Sequence, residues 1–359
     1  MKEKALNVLD LFCGCGGISK GFDLAGYDII GGIDFNKDAT NTFRHNFKKA
    51  EVFCIDISTF TDEMVKEKYG STDIIVGGPP CQGFSSANRW QKETEDPRNK
   101  LFFQYLRFVE VIRPKAVMIE NVRGLLTRDH GYAKDRIETL LDEMGYNVSM
   151  KVLCASDYGV PQNRYRAIII GIKREDDNDK TRFDFEKIAT KEKTTVREAI
   201  GELYVFENKP NADIVLTGEP TSDYRAYLRR PDGLVPDHES VYPAAKVQER
   251  IKHVPQGGNW QDVPVELWSN NRQNRHSSAY KRLKEDDQSC TIDTGNAHSN
   301  YFHPIYNRIP SIRESARLQS FPDEFEFTGT RGSRYKQVGN AVPPLMAKAI
   351  AEELKKYIK

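Results

Sequence analysis

No run of apolar residues in this 359-residue chain is long enough to cross a bilayer, which excludes a membrane-spanning helix. The opening stretch, MKEKALNVLD, lacks the hydrophobic core of a secretory signal, so a cytoplasmic protein with reduced thiols is expected. The six cysteines (13, 15, 54, 81, 154 and 290) never fall in C-x-x-C spacing, and no histidine cluster completes a zinc set, so no metal is expected. Net charge is only +1, which by itself argues neither for nor against nucleic acid. Internal repeats and low-complexity tracts are absent. What remains is an ordinary globular composition, 38% hydrophobic and 29% charged, with length for one large or two medium domains.

The first half alternates strands and helices. Strands are read at 6–12 (LNVLDLF), in YDIIGGID, DIIVGG and KAVMIEN, and at 166–172 (RAIIIGI). Helices are read in GISKGFDLA, KDATNTFRHNF and AKDRIETLLDEMG. A further helix spans Asp96 to Arg113. Asp96 can cap it, Pro97 suits its first turn and Pro114 stops it. This alternation predicts an α/β fold with a doubly wound, mostly parallel sheet. After residue 173 the periodicity fades. A smaller, loop-rich domain is expected over 181–320, following a first domain over 1–180 that holds the sheet. The segment 321–359 ends in a helix (AVPPLMAKAIAEELKKY) that returns to the first domain.

Two strand ends carry chemistry. The first runs into DLFCGCGG, where Gly14, Gly16 and Gly17 let a ligand approach backbone N–H groups. Asp34 ends the next strand at a spacing suited to ribose hydroxyls, and Asp56, near the end of the third, suits an adenine amino group. Each aspartate could equally cap a helix or turn. Ser19 stands where the dehydrogenase fingerprint G-x-G-x-x-G needs its third glycine, so a dinucleotide reading fails. Cys13 and Cys15 read as small buried residues.

The second is IIVGGPPCQGFS (74–85). Pro79 and Pro80 stiffen the backbone just before Cys81, at the carboxyl end of a strand, where ligands bind in such sheets. A defined, accessible thiol there suits a covalent nucleophile. Glu120 ends the next strand and suits an acid; Arg164 and Arg166 in VPQNRYR alternate onto one face and suit a substrate carbonyl or phosphate. Taken singly, Glu120 could be a structural ion pair and the arginines surface charge.

In order and wording these pieces resemble the DNA (cytosine-5) methyltransferases of bacterial restriction–modification systems. DLFCGCGG is similar to that family's first motif, GGPPCQGFS to its catalytic motif, and ENV and QNRYR to the next two. RESARLQSFPD (313–323) and YKQVGNAVPP (335–344) are similar to the last two. The resemblance implies S-adenosylmethionine as cofactor. Phe12 and the 14–17 turn would hold it, with Asp34 and Phe35, Asp56 and Ile57, Pro80, Leu101 and Asn340. It also implies Cys81 as the nucleophile on C6 of a flipped-out cytosine, Glu120 at N3 and Arg164 at O2, and double-stranded DNA as partner. A loop from Phe84 to about Arg98, with Ser85, would close over the base.

From Arg225 to Lys284 there are eleven Lys/Arg against six Asp/Glu, a surplus that suits phosphates as well as a solvated surface. In the resemblance, target recognition lies between the QNR and RESARLQSFPD motifs, roughly 180–310, which includes this stretch. Thr291, Asp293, Thr294, Asn296 and His298 are that region's candidate base readers, and Arg272, Arg275, Lys281 and Arg282 its candidate phosphate contacts. A monomer is expected, with a cognate restriction endonuclease acting on the same sequence without direct contact. The competing expectations are a transfer-RNA cytosine-5 methyltransferase and a non-catalytic DNA-binding regulator.

Overall fold

A computed structural model of the chain describes residues 5–80, 99–127, 131–207, 214–268, 280–294 and 301–358. The chain forms two compact units. One comprises Met1–Cys154, Tyr165–Thr190 and Val342–Lys359; the other comprises Ala155–Arg164 and Lys191–Ala341. No helix among the described residues is long and apolar enough to cross a membrane.

The first unit opens with β1 (Asn7–Leu11), α1 (Gly17–Leu24), β2 (Asp28–Asp34), α2 (Lys37–Asn46) and β3 (Glu51–Cys54). It continues with α3 (Asp62–Tyr69), β4 (Ile74–Gly77), α4 (Lys100–Ile112) and β5 (Ala116–Val122), then α5 (Tyr132–Glu143), β6 (Tyr146–Cys154) and β7 (Tyr165–Lys173). The seven strands make one sheet in the order β3-β2-β1-β4-β5-β7-β6. β1 to β5 pair in parallel, and β7 runs antiparallel to both β5 and β6. The expected doubly wound, mostly parallel sheet is therefore present. Its strands are apolar throughout because both faces are covered: Val8, Leu9, Ile74, Ile75, Val76, Val117 and Ile169 have no exposed surface. α4 buries Phe102, Tyr105, Leu106, Phe108, Val109 and Ile112, the predicted face. It ends when Arg113 turns left-handed (φ 55°) ahead of Pro114. The predicted cap at Asp96 and Pro97 lies outside the described residues.

One strand of this sheet escaped the sequence reading. β6 carries Asn147, Ser149 and Lys151 and is half-buried along most of its length, as an edge strand can be, so it lacks the apolar run that marks its neighbours.

The second unit is built from short pieces: α6 (Val196–Ile200), β8 (Ile214–Val215), α7 (Asp223–Leu228), β9 (Leu234–Val235), α8 (Ala245–Lys252), β10 (Lys281–Arg282), β11 (Tyr301–Phe302), α9 (Ile312–Leu318) and α10 (Arg331–Asn340). Leu203, Ile214 and Val235 form a small apolar cluster in it. Charge does much of the remaining work, since Arg308, Arg313 and Arg317 are all fully buried.

The last helix, α11 (Pro344–Leu354), belongs to the first unit, where it crosses α1 at close range. A Cβ at Gly21 would come within 2.4 Å of Ala347 Cβ and 2.6 Å of the Pro344 carbonyl oxygen, so only glycine fits that crossing. The Tyr27 hydroxyl ties the contact by donating to the Ala351 carbonyl at 2.9 Å. The segment expected to return from residue 321 thus rejoins the first unit only at Val342, because α10 packs in the second.

Candidate active site

The carboxyl ends of the parallel strands gather two sets of groups. The first surrounds the turn after β1. Phe12 (φ 59°), Gly14 (φ 52°) and Gly16 (φ 98°) are all left-handed, a conformation that costs a non-glycine residue energy and that functional turns store. A Cβ on Gly14 would meet nothing within 4 Å, so open space lies beside this backbone. On Gly16 a Cβ would strike the Phe47 ring at 2.5 Å. Asp34, at the end of β2, accepts from Gly14 N at 2.9 Å and from Asn36 N at 2.8 Å, fixing the turn to the neighbouring strand. Burial holds the Asp34 carboxyl above its usual range, against the opposing pull of those N–H groups.

Asp10, and the tie between it and Ser19, went unnoticed in the sequence. Ser19 Oγ donates to Asp10 Oδ2 at 2.6 Å, both residues being buried beneath the turn. Burial pushes the Asp10 carboxyl up to about 7, offset in part by that hydrogen bond. The serine that breaks the dehydrogenase fingerprint is thus the residue that binds the strand. The signal was available: a serine in place of glycine one helical turn into α1, facing an acidic strand residue.

Phe35 projects into solvent, 74% exposed, directly after Asp34. Asp56 is exposed and its Oδ1 accepts from Ser58 N and Ser58 Oγ, so it does cap a short 3-10 turn. Ile57 is a core residue, 3% exposed, and half-buried Leu101 packs against the same core. Pro80 is exposed, as is Asn340, which closes α10 in the second unit. A glycine turn beside open space, a carboxylate fixed to it and an exposed aromatic ring suit an adenosine-containing ligand.

The second set surrounds Glu120. Arg166 Nε lies 2.6 Å from Glu120 Oε1, both side chains about one-seventh exposed. The antiparallel register explains the meeting: Val122 faces Arg166 across β5 and β7, so Glu120 and Arg166 are diagonal neighbours on one face. Gly78 makes room for the carboxylate, since a Cβ there would sit 3.1 Å from Glu120 Oε2. Asn121 Nδ2 donates to the Pro79 carbonyl at 2.9 Å, so the end of β5 grips the proline turn that leads to Cys81. Cys81 and Ser85 themselves lie outside the described residues.

Arg164 behaves differently from Arg166. It belongs to the second unit, has no exposed surface, and donates from Nη1 to the Ile292 carbonyl at 2.9 Å and from Nη2 to the Gly339 carbonyl at 2.7 Å. A guanidinium enclosed in this way has no surface to offer a substrate, which corrects the expectation of Arg164 at a base oxygen.

The recognition candidates also divide. Arg282 is buried, with its guanidinium on the carbonyls of Ile251, Pro304 and Ile305 and on Asn307, so it is a structural residue and not a phosphate contact. Lys281 Nζ donates to the Gly257 carbonyl at 2.8 Å. Among the described residues, other basic groups of this stretch also have protein partners: Arg229 pairs with Glu202, Arg230 with Asp232 and Glu326, and Arg250 bonds the Leu267 carbonyl beneath Trp268. Thr291 and Thr294 are exposed and Asp293 half-buried, whereas Arg272, Arg275, Asn296 and His298 lie outside the described residues.

A family model described as C-5 cytosine-specific DNA methylase matches residues 6–356. The chain belongs to the C-5 cytosine-specific DNA methylases. It is 36% identical to the type II methyltransferase M.DdeI of Desulfomicrobium norvegicum, over 98% of this chain and 89% of that one. It is equally similar, at 36% over 98% and 87%, to M1.HphI of Haemophilus parahaemolyticus. Among solved structures it resembles a candidate DNA modification methyltransferase encoded in an Escherichia coli prophage, with a TM-score of 0.79 and 26% identity over 98% of this chain and 99% of that one. The S. pombe Dnmt2 methyltransferase shares the fold, with a TM-score of 0.62 at 20% identity, over 98% of this chain and 99% of that one. Membership makes the chain a DNA cytosine methyltransferase, and of the expectations set out from the sequence neither the transfer-RNA enzyme nor the idle regulator is favoured.

Proposed function

We propose that this methylase binds S-adenosylmethionine at the Phe12–Gly17 turn and modifies C5 of a cytosine flipped out of a short, specific duplex sequence. The Glu120–Arg166 pair, held at the strand ends beside the turn that leads to Cys81, is the observation that carries this reading.

Asp34 would take the ribose hydroxyls, with Phe35 against the adenine and Asp56 near its amino group. Pro80 and Leu101 would line the same site. When bound, the cofactor supplies an electrophilic methyl group on a sulfonium. Cys81 thiolate adds to C6 of the base, forming an S–C6 bond and sending an electron pair toward C5 and N3. Glu120 holds a proton at N3 as negative charge develops there, and Arg166 fixes the Glu120 carboxylate and faces the base in place of Arg164. The enamine carbon C5 would take up that methyl group as the S–CH3 bond breaks and the sulfur leaves as a neutral thioether. A base then removes the C5 proton, the S–C6 bond breaks, and the thiolate is restored.

Extruding the base is required because C6 cannot be reached inside the duplex stack. We further propose that the modification shields host DNA from a restriction endonuclease of the same sequence specificity, as the type II relatives' names suggest. The Cys81→Ser variant tests the nucleophile: it should bind duplex DNA and cofactor yet transfer no methyl group. Near-wild-type transfer by that variant removes Cys81 from the mechanism.

A further inference from the structure

Within the second unit, Pro161–Arg164 and Ser289–Thr294 lie side by side. Ser289 N donates to the Pro161 carbonyl and Asn163 N to the Ser289 carbonyl, each at 2.9 Å, and Thr291 Oγ1 donates to the Asn163 carbonyl at 3.0 Å. Two side chains then seize one residue. Gln162 Oε1 accepts from Ile292 N at 3.0 Å, and Arg164 Nη1 donates to the Ile292 carbonyl at 2.9 Å. Gln162, Arg164 and Ile292 are all essentially without exposed surface. Both polar groups of one buried peptide residue are therefore satisfied by side chains from a distant part of the sequence.

A third contact comes from α10. Gly339 accepts from Arg164 Nη2 through its carbonyl at 2.7 Å. A Cβ on Gly339 would fall 2.5 Å from the Asp293 carbonyl carbon and 2.7 Å from Thr294 N. These are backbone atoms, so no side-chain rotation relieves the clash. Gln162 is anchored in turn: its Nε2 donates to the Leu318 carbonyl and to Gln319 Oε1, while Gln319 Nε2 donates to the carbonyls of Val338 and Ala341.

We propose that Gln162, Arg164 and Gly339 are positioning residues for sequence recognition: they clamp the Ile292–Thr294 backbone from which Asp293 and Thr294 reach the base edges. The inference rests on the reading that Asp293 and Thr294 face DNA. Direct readout depends on donors and acceptors placed to within a fraction of an ångström, so a shift in this peptide costs discrimination before it costs chemistry. Arg164 suits the task because its planar fork holds two carbonyls in fixed directions from separate nitrogens, a constraint that the single nitrogen of a lysine does not impose.

The test compares Gly339→Ala and Arg164→Lys with the wild-type full-length chain. The probes are a duplex carrying the sequence that the wild-type protein methylates and a duplex with one base pair of it changed. Both variants should lose about tenfold or more of the target-to-altered ratio in kcat/KM, carried by KM for DNA. Their kcat and their affinity for S-adenosylmethionine should stay within about twofold of wild type. An unchanged ratio, a fall in kcat with the ratio preserved, or loss of soluble protein in both variants would overturn the proposal. Asp293→Ala and Thr294→Ala separate the two layers. If they lower the ratio and the clamp variants do not, the clamp fails and the base-reading assignment stands. If neither pair lowers it, the base-reading assignment itself fails.

Discussion

Gly78 is small because Glu120 needs the space. Its missing Cβ, the 2.6 Å pairing with Arg166 and the Asn121 grip on Pro79 together hold one carboxylate at a strand end beside a stiffened turn. If Glu120 manages the proton at N3, Glu120→Gln should lower kcat by about 10²–10⁴-fold while DNA binding survives, as measured by single-turnover transfer of a labelled methyl group. Gly78→Ala should cost about ten- to a hundredfold in kcat through displacement of that carboxylate, with cofactor affinity retained. Wild-type turnover by Gly78→Ala would show that the carboxylate position is not critical. At this scale much was legible. Glu120 and Asp34 are acidic groups where apolar strands end, and the fold places both there. The choice between Arg164 and Arg166 was not legible. Both have the same type and spacing, and only the antiparallel register of β7 on β5 decides which one meets Glu120.

Among the elements, α9 departs furthest from ordinary expectation. Arg313, Glu314 and Arg317 are all buried on a seven-residue helix. Arg308 is held by Glu207 and Glu314, and Arg317 by Glu202 and Asp323. Arg308 and His303 keep Glu314 ionised far below the usual carboxylate range despite its burial. Removing one partner of such a network leaves a buried, unpaired charge, so Glu314→Gln should destabilise the fold by about 3–5 kcal/mol in denaturant titration. His303 shows which of its nitrogens bears the proton. Nδ1 accepts from Ile305 N and Tyr306 N, both at 3.1 Å, so the ring hydrogen sits on Nε2, 3.5 Å from Glu314 Oε1. Burial holds His303 and His238 below their ordinary value of 6.5. The unfolded chain therefore takes up these protons first, and their contribution to stability, present above pH 6.5, is lost as pH falls below it. Ring NMR should find the His303 midpoint below its ordinary value of 6.5; a midpoint at or above that value would contradict this. None of this network could be read from charge counting. The basic surplus over 225–284 suited phosphate as well as a solvated surface, yet Arg229, Arg230, Arg250 and Arg282 all have partners within the protein.

For the molecule as a whole, the parallel sheet was legible because buried β-branched runs ending in glycine, proline or acid have few other readings. β6 and the late return of the chain at Val342 were not, because a half-buried edge strand and a polar helix carry little pattern. The central claim is that this chain methylates C5 of cytosine in one DNA sequence through Cys81. Bisulfite sequencing of a plasmid from cells expressing the chain tests it most directly. The account predicts that one cytosine in every copy of a single short sequence resists conversion, and that the Cys81→Ser plasmid shows none. Full conversion with the wild-type chain, or protection that persists in Cys81→Ser, would contradict it.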